Sequence, residues 1–109
     1  MIKKTDQDNI RVVIPKKSKK EMFAIVARVL GGSRMKVNCQ DENSRMARIP
    51  GSKKRRMGRI RIGGLLIVRP WDIQDDKADI IYHYRNTETK ILIIKNVLPE
   101  SILLFFSQG

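Results

Sequence analysis

Arg34-Met35-Lys36-Val37-Asn38-Cys39-Gln40 alternates polar and apolar residues without a break. Successive side chains of an extended chain point to opposite faces, so Met35, Val37 and Cys39 share one face and Arg34, Lys36 and Asn38 the other. The stretch reads as a half-buried strand with a basic outer face. Gly31-Gly32-Ser33 before it and Asp41-Glu42-Asn43-Ser44 after it are turn sequences. The glycine pair predicts a hairpin in which glycine supplies the positive φ that other residues resist.

Working outward, Met22 to Leu30 is a β-rich apolar run, and Arg45-Met46-Ala47-Arg48-Ile49 is a third strand closed by Pro50-Gly51. Ser52 to Arg61 reads as a basic loop with one helical turn over Lys53 to Met57. Leu65-Leu66-Ile67-Val68 is a continuous apolar strand that Pro70 stops. Ala78 to Tyr84 makes the fifth, with Ile80, Tyr82 and Tyr84 expected on one face and Asp79, Ile81 and His83 on the other. A short helix is predicted within 87–96, and after the break at Pro99-Glu100 the run Ile102-Leu103-Leu104-Phe105-Phe106 reads as an apolar tail.

Residues 1–10 are polar and aperiodic and read as a mobile tail, with Ile10 to Ile14 a short extended lead-in. The pattern predicts a mainly β fold: a five-stranded oligonucleotide-binding Greek-key barrel with a short C-terminal helix and a flexible N-terminal tail. The expected divisions are a basic tail and lead-in over 1–20, the barrel over 21–85, and the helix and apolar tail over 86–109.

The chain has 109 residues, of which 41% are hydrophobic, enough for one packed core. Its 23 Lys and Arg against 11 Asp and Glu leave a net charge of +12. Residues 43–62 hold eight cations and no acid: Arg45, Arg48, Lys53, Lys54, Arg55, Arg56, Arg59 and Arg61. Uncompensated cations repel one another in the free protein, so this segment points to a polyanionic partner. Lys16-Lys17-Ser18-Lys19-Lys20 is a less specific run. With a single cysteine, Cys39, and a single histidine, His83, the sequence excludes a disulfide framework and any multi-thiolate or multi-histidine metal site. No apolar run approaches the roughly 20 residues of a membrane span, and the polar start carries no secretory signal, so a cytoplasmic protein is expected.

Leu30-Gly31-Gly32-Ser33-Arg34-Met35-Lys36-Val37-Asn38-Cys39, followed by Arg48-Ile49-Pro50-Gly51 ahead of a basic loop, resembles archaeal and eukaryotic translation initiation factor 1A. Val68-Arg69-Pro70-Trp71, Gln74-Asp75-Asp76-Lys77-Ala78-Asp79-Ile80-Ile81 and Leu98-Pro99-Glu100 extend the resemblance in collinear order, from about Arg11 to about Ile102. Arg11-Val12-Val13-Ile14-Pro15 looks more like the archaeal branch. The resemblance implies a factor seated near the aminoacyl-tRNA site of the small ribosomal subunit. There it would assist initiator tRNA recruitment and start-site selection beside other initiation factors. It also implies contact between ribosomal RNA and Lys53, Lys54, Arg55, Arg56 and Arg59.

Two departures stand out. Met57-Gly58-Arg59-Ile60 occupies the place where the family usually carries a Trp, and no acidic residue follows Glu100. The partner-GTPase contact of the eukaryotic acidic tail is therefore not expected here.

The expected RNA-binding residues are Arg34, Lys36, Arg45, Arg48, Lys53, Lys54, Arg55, Arg56, Arg59 and Arg61, reaching phosphates as forks and point charges. Trp71 is expected to pack or anchor a turn, Cys39 to fill core, and His83 to be an ordinary strand residue. Asp72, Asp75, Asp76 and Asp79 lack the spacing of a calcium loop and are expected to balance Lys77 and nearby cations. No catalytic, metal or cofactor site is expected, and the protein is expected to be a monomer that binds no membrane. The alternatives are a general RNA-binding or RNA-chaperone barrel, which six aromatics serve poorly as a stacking platform, and an interaction module docking through the apolar tail.

Overall fold

A computed structural model describes residues 12–53 and 57–107. The tail expected over 1–10 and most of the helical turn expected over Lys53 to Met57 lie outside the described residues. The strands are β1 (Met22–Val29), β2 (Arg34–Cys39), β3 (Ser44–Arg48), β4 (Leu65–Pro70) and β5 (Lys77–His83). They close into a barrel in the order β1-β2-β3-β5-β4, with β3 and β5 parallel and the other pairs antiparallel. This is the Greek-key closure of an oligonucleotide-binding barrel, and closure leaves no sheet edge open.

Two cores explain the two sequence patterns. Ala24, Val26, Met35, Val37, Cys39, Ala47, Leu66, Val68, Ala78 and Ile80 fill the barrel interior. Phe23, Ile25, Leu65, Ile67 and Tyr84 point outward and are covered by Leu92, Leu98 and Ile102 of the C-terminal segment. β1 and β4 are apolar on both faces because helices lie over them. β2 and β3 alternate because water lies over them.

The segment 86–107 forms two helices, α1 (Asn86–Ile94) and α2 (Glu100–Ser107). The run expected to be an apolar tail is thus helical, and Ile102 within it is fully buried. Asn96, at φ 58°, ends α1 in the left-handed region; its N–H reaches Ile93 O at 3.0 Å and that of Val97 reaches Leu92 O at 3.1 Å. This reciprocal pair caps the free carbonyls and turns the chain back for α2. Ser101 Oγ donates to Gln40 O at 2.8 Å, while Gln40 Oε1 accepts the Phe23 N–H at 2.7 Å, so one residue ties α2 to β1.

Two local expectations are corrected. Gly31 and Gly32 lie in the β1–β2 turn, but among the described residues the glycines in the left-handed region are Gly58 and Gly63. The hairpin forms without that device, and a Cβ at either Gly31 or Gly32 would meet open space. Ile80, Tyr82 and Tyr84 do not share a face. A bulge interrupts the β4–β5 ladder: Val68 pairs with Ile80 but Ile67 with Tyr82, leaving Ile81 as the extra residue. Ile80 therefore enters the barrel, while Tyr82 and Tyr84 turn to the helix side and meet edge-to-face at 5.0 Å.

Candidate nucleic-acid interface

The register of the barrel collects cations on its outer face. Arg34 of β2 pairs directly with Arg48 of β3, and Arg28 of β1 pairs with Lys36 of β2 beyond a bulge at Ala27. All four side chains are exposed. Like charges directly opposite on a sheet destabilise it by a few tenths to about 1 kcal/mol per pair. A single carboxylate among the described residues moderates this face: Arg48 Nε lies 3.1 Å from Asp79 Oδ1. The same oxygen accepts the Trp71 indole N–H at 3.1 Å, and the Arg48 guanidinium stands 4.9 Å from the Trp71 ring centroid. Trp71 is thus a positioning residue for Arg48, braced by cation–π attraction. Among the described residues, Arg34, Lys36 and Arg28 have no ion-pair partner.

Arg45 is placed elsewhere, which corrects its expected role. Its side chain is 3% exposed. Its two terminal nitrogens grip Asp41 at 3.0 and 2.9 Å, and Nε donates to Asp75 O at 2.7 Å. Donation to Asp41 holds the guanidinium charged well above its ordinary range, and Arg45 in turn pulls the Asp41 carboxyl below the usual carboxylate range. Arg45 joins the β2–β3 turn to the β4–β5 loop and presents no free donor fork to an outside phosphate. The neighbouring Cys39 is core, its thiol pushed up by burial.

The basic loop between β3 and β4 is fastened to the barrel. Ile49, Met57 and Ile60 belong to the interior core, so apolar side chains at intervals pin the segment while Arg59 and Arg61 remain exposed. Met57 therefore acts as a plug between the basic loop and the barrel interior. Its carbonyl lies 2.8 Å from His83 Nδ1, an N–H donor to it, which gives His83 an anchoring task the sequence did not signal. Gly63, at φ 86°, donates its N–H to Val26 O at 2.8 Å and closes the loop onto β1. Lys53 ends a short 3-10 turn, Gly51–Lys53. Lys54, Arg55 and Arg56 lie outside the described residues.

Among the described residues no group of three His, Cys, Asp or Glu is placed to hold a metal, and no helix is long and apolar enough to cross a membrane.

The family model described as Translation initiation factor 1A / IF-1 matches residues 9–104. Translation initiation factor 1A of Picrophilus torridus is 46% identical over 100 residues, covering 92% of each chain. That of Thermoplasma acidophilum is 46% identical over 95 residues, covering 87% of this chain and 79% of its own. That of Thermococcus kodakarensis is 40% identical over 95 residues, covering 86% and 80%. The solution structure of translation initiation factor IF-1 from the Wolbachia endosymbiont strain TRS of Brugia malayi is similar at 25% identity. Its TM-score is 0.47, and the match covers 69% of this chain and 91% of that one.

Proposed function

The chain belongs to the Translation initiation factor 1A / IF-1 family, and from that premise we propose that it binds the small ribosomal subunit near the aminoacyl-tRNA site through ribosomal RNA. There it assists initiator tRNA recruitment and start-site selection, as a cytoplasmic monomer working beside other initiation factors and without chemistry of its own. The observation that carries this reading is the two pairs of opposed cations, Arg34 with Arg48 and Arg28 with Lys36, moderated among the described residues by Asp79 alone. Repulsion within the free protein turns into attraction when RNA phosphates enter, which release counterions as they are neutralised. Arg59 and Arg61, both exposed, and Lys53 add the charge of the basic loop, to which the sequence contributes Lys54, Arg55 and Arg56.

Phe23, Tyr82 and Tyr84 are committed to the helix-side core, which leaves Trp71 beside the basic face. A stacking platform for single strands is not built here, so a folded RNA read by backbone and shape suits the protein better than a chaperone role. Hydroxyl-radical footprinting of purified small subunits tests the reading. Protection confined to RNA around the aminoacyl-tRNA site is expected; protection spread over the subunit, or none there, would overturn it.

A further inference from the structure

Arg59 and Arg61 at the loop exit and Arg85 at the start of α1 come from separate segments, yet they line one concavity of about 490 Å³ together with Gly63, Gly64 and His83. All three arginines are exposed, and among the described residues no carboxylate lies within ion-pair distance of any of them. Glu88, the acid of the first turn of α1, is occupied on both oxygens: it accepts the Arg85 N–H at 2.8 Å and the Tyr82 hydroxyl at 2.7 Å. The walls are held in place. Gly64 N–H bonds to Arg61 O at 3.0 Å, and a Cβ on Gly64 would come within 3.1 Å of that oxygen and 3.6 Å of His83 Nε2. Met57 and Ile60, buried on either side of Arg59, hold its backbone, and the bond of 2.8 Å from His83 Nδ1 to the Met57 carbonyl fixes the His83 ring.

We propose that this concavity is a phosphate subsite. It takes one phosphate group between three guanidinium forks, and the group is a backbone phosphate of RNA. Guanidinium forks match phosphate oxygens pairwise, and a fixed backbone spares much of the ordering that binding otherwise costs. The source of the phosphate rests on the reading above; the site itself does not. The subsite adds Arg85, which the sequence offered no reason to join to the loop.

Two measurements test it. Inorganic phosphate titrated into the full chain, followed by arginine Nε–H NMR signals, is expected to shift Arg59, Arg61 and Arg85 together and saturably, with Arg34 unmoved. Association with purified small subunits over a salt series is then compared for wild type, Arg85→Gln and Arg85→Lys. Loss of one phosphate contact makes the log–log salt slope shallower by about 0.9, so the affinity gap between wild type and Arg85→Gln narrows about threefold to fourfold from 50 to 200 mM salt. Arg85→Lys keeps most of the slope. A wild-type slope for Arg85→Gln, with affinity lost in Arg34→Gln/Lys36→Gln, would overturn the subsite and leave the function standing. The reverse pattern would support the subsite and remove the β2–β3 face. Phosphate shifts without any effect on subunit binding would overturn RNA as the source.

Discussion

Arg34 and Arg48 stand directly opposite each other on β2 and β3, and Arg48 alone of the two has a carboxylate, Asp79, and an aromatic ring, Trp71, to brace it. The difference assigns them different tasks. Arg48 is held in position by its neighbours, whereas Arg34 is a free fork whose closest cross-strand neighbour repels it.

Arg34→Gln should therefore leave the folded protein as stable as before or raise its stability by up to about 0.5 kcal/mol, while weakening binding to structured RNA. Paired thermal melting and RNA titration read both effects. A clear drop in melting temperature would show that Arg34 supports the fold.

Arg45→Met should do the opposite. It removes a bidentate bridge to Asp41 and the bond to Asp75 O, with an expected loss of about 2–3 kcal/mol in denaturant unfolding. RNA affinity of the folded fraction should change little. If the variant unfolds with the wild-type midpoint but binds RNA poorly, Arg45 is a contact residue after all.

The same bridge sets an acid limb. Bonds from Arg45 are the chief cause that lowers the Asp41 carboxyl below its ordinary value. A depressed carboxylate contributes stability that is fully present above its unfolded pKa of about 4 and is lost as pH falls through the lower folded value. Wild type should accordingly lose stability more steeply below about pH 4 than Asp41→Asn, and the two curves should converge in acid. Parallel curves would contradict the bridge.

Ile102→Ala should cost about 2–4 kcal/mol, because a fully buried side chain leaves the core shared with Phe23 and Leu65. Phe105, 44% exposed on the same helix, should cost no more than about 1 kcal/mol when changed to Ala. Equal losses at both positions would mean that α2 is covered on all sides.

Much of this was legible because burial leaves a periodic mark. Strict alternation placed β2, and continuous apolar runs placed β1 and β4, the strands sandwiched between interior and helices. Arg45 could have been separated from Arg48 by parity alone: it shares its phase with Ala47 and Ile49, which face the core, and three residues along a strand change the face. Four features left no such mark. The bulge at Ile81 shifts phase without a Gly or Pro to announce it. Met57 and Ile60 are lone apolar residues among cations, and their entry into the core depends on the path of a loop. α2 is too short and too apolar all round to show a helical stripe, and the arginines that converge near His83 meet only through tertiary folding.

The most direct test of the central claim is co-sedimentation with purified small ribosomal subunits across a salt series, comparing wild type with Arg34→Gln/Lys36→Gln. Wild type should saturate at a single copy per subunit and weaken with salt, and the variant should bind less tightly with a slope shallower by up to about two. Identical slopes, or wild-type binding no tighter than to bulk structured RNA, would contradict the assignment of this face to the ribosome.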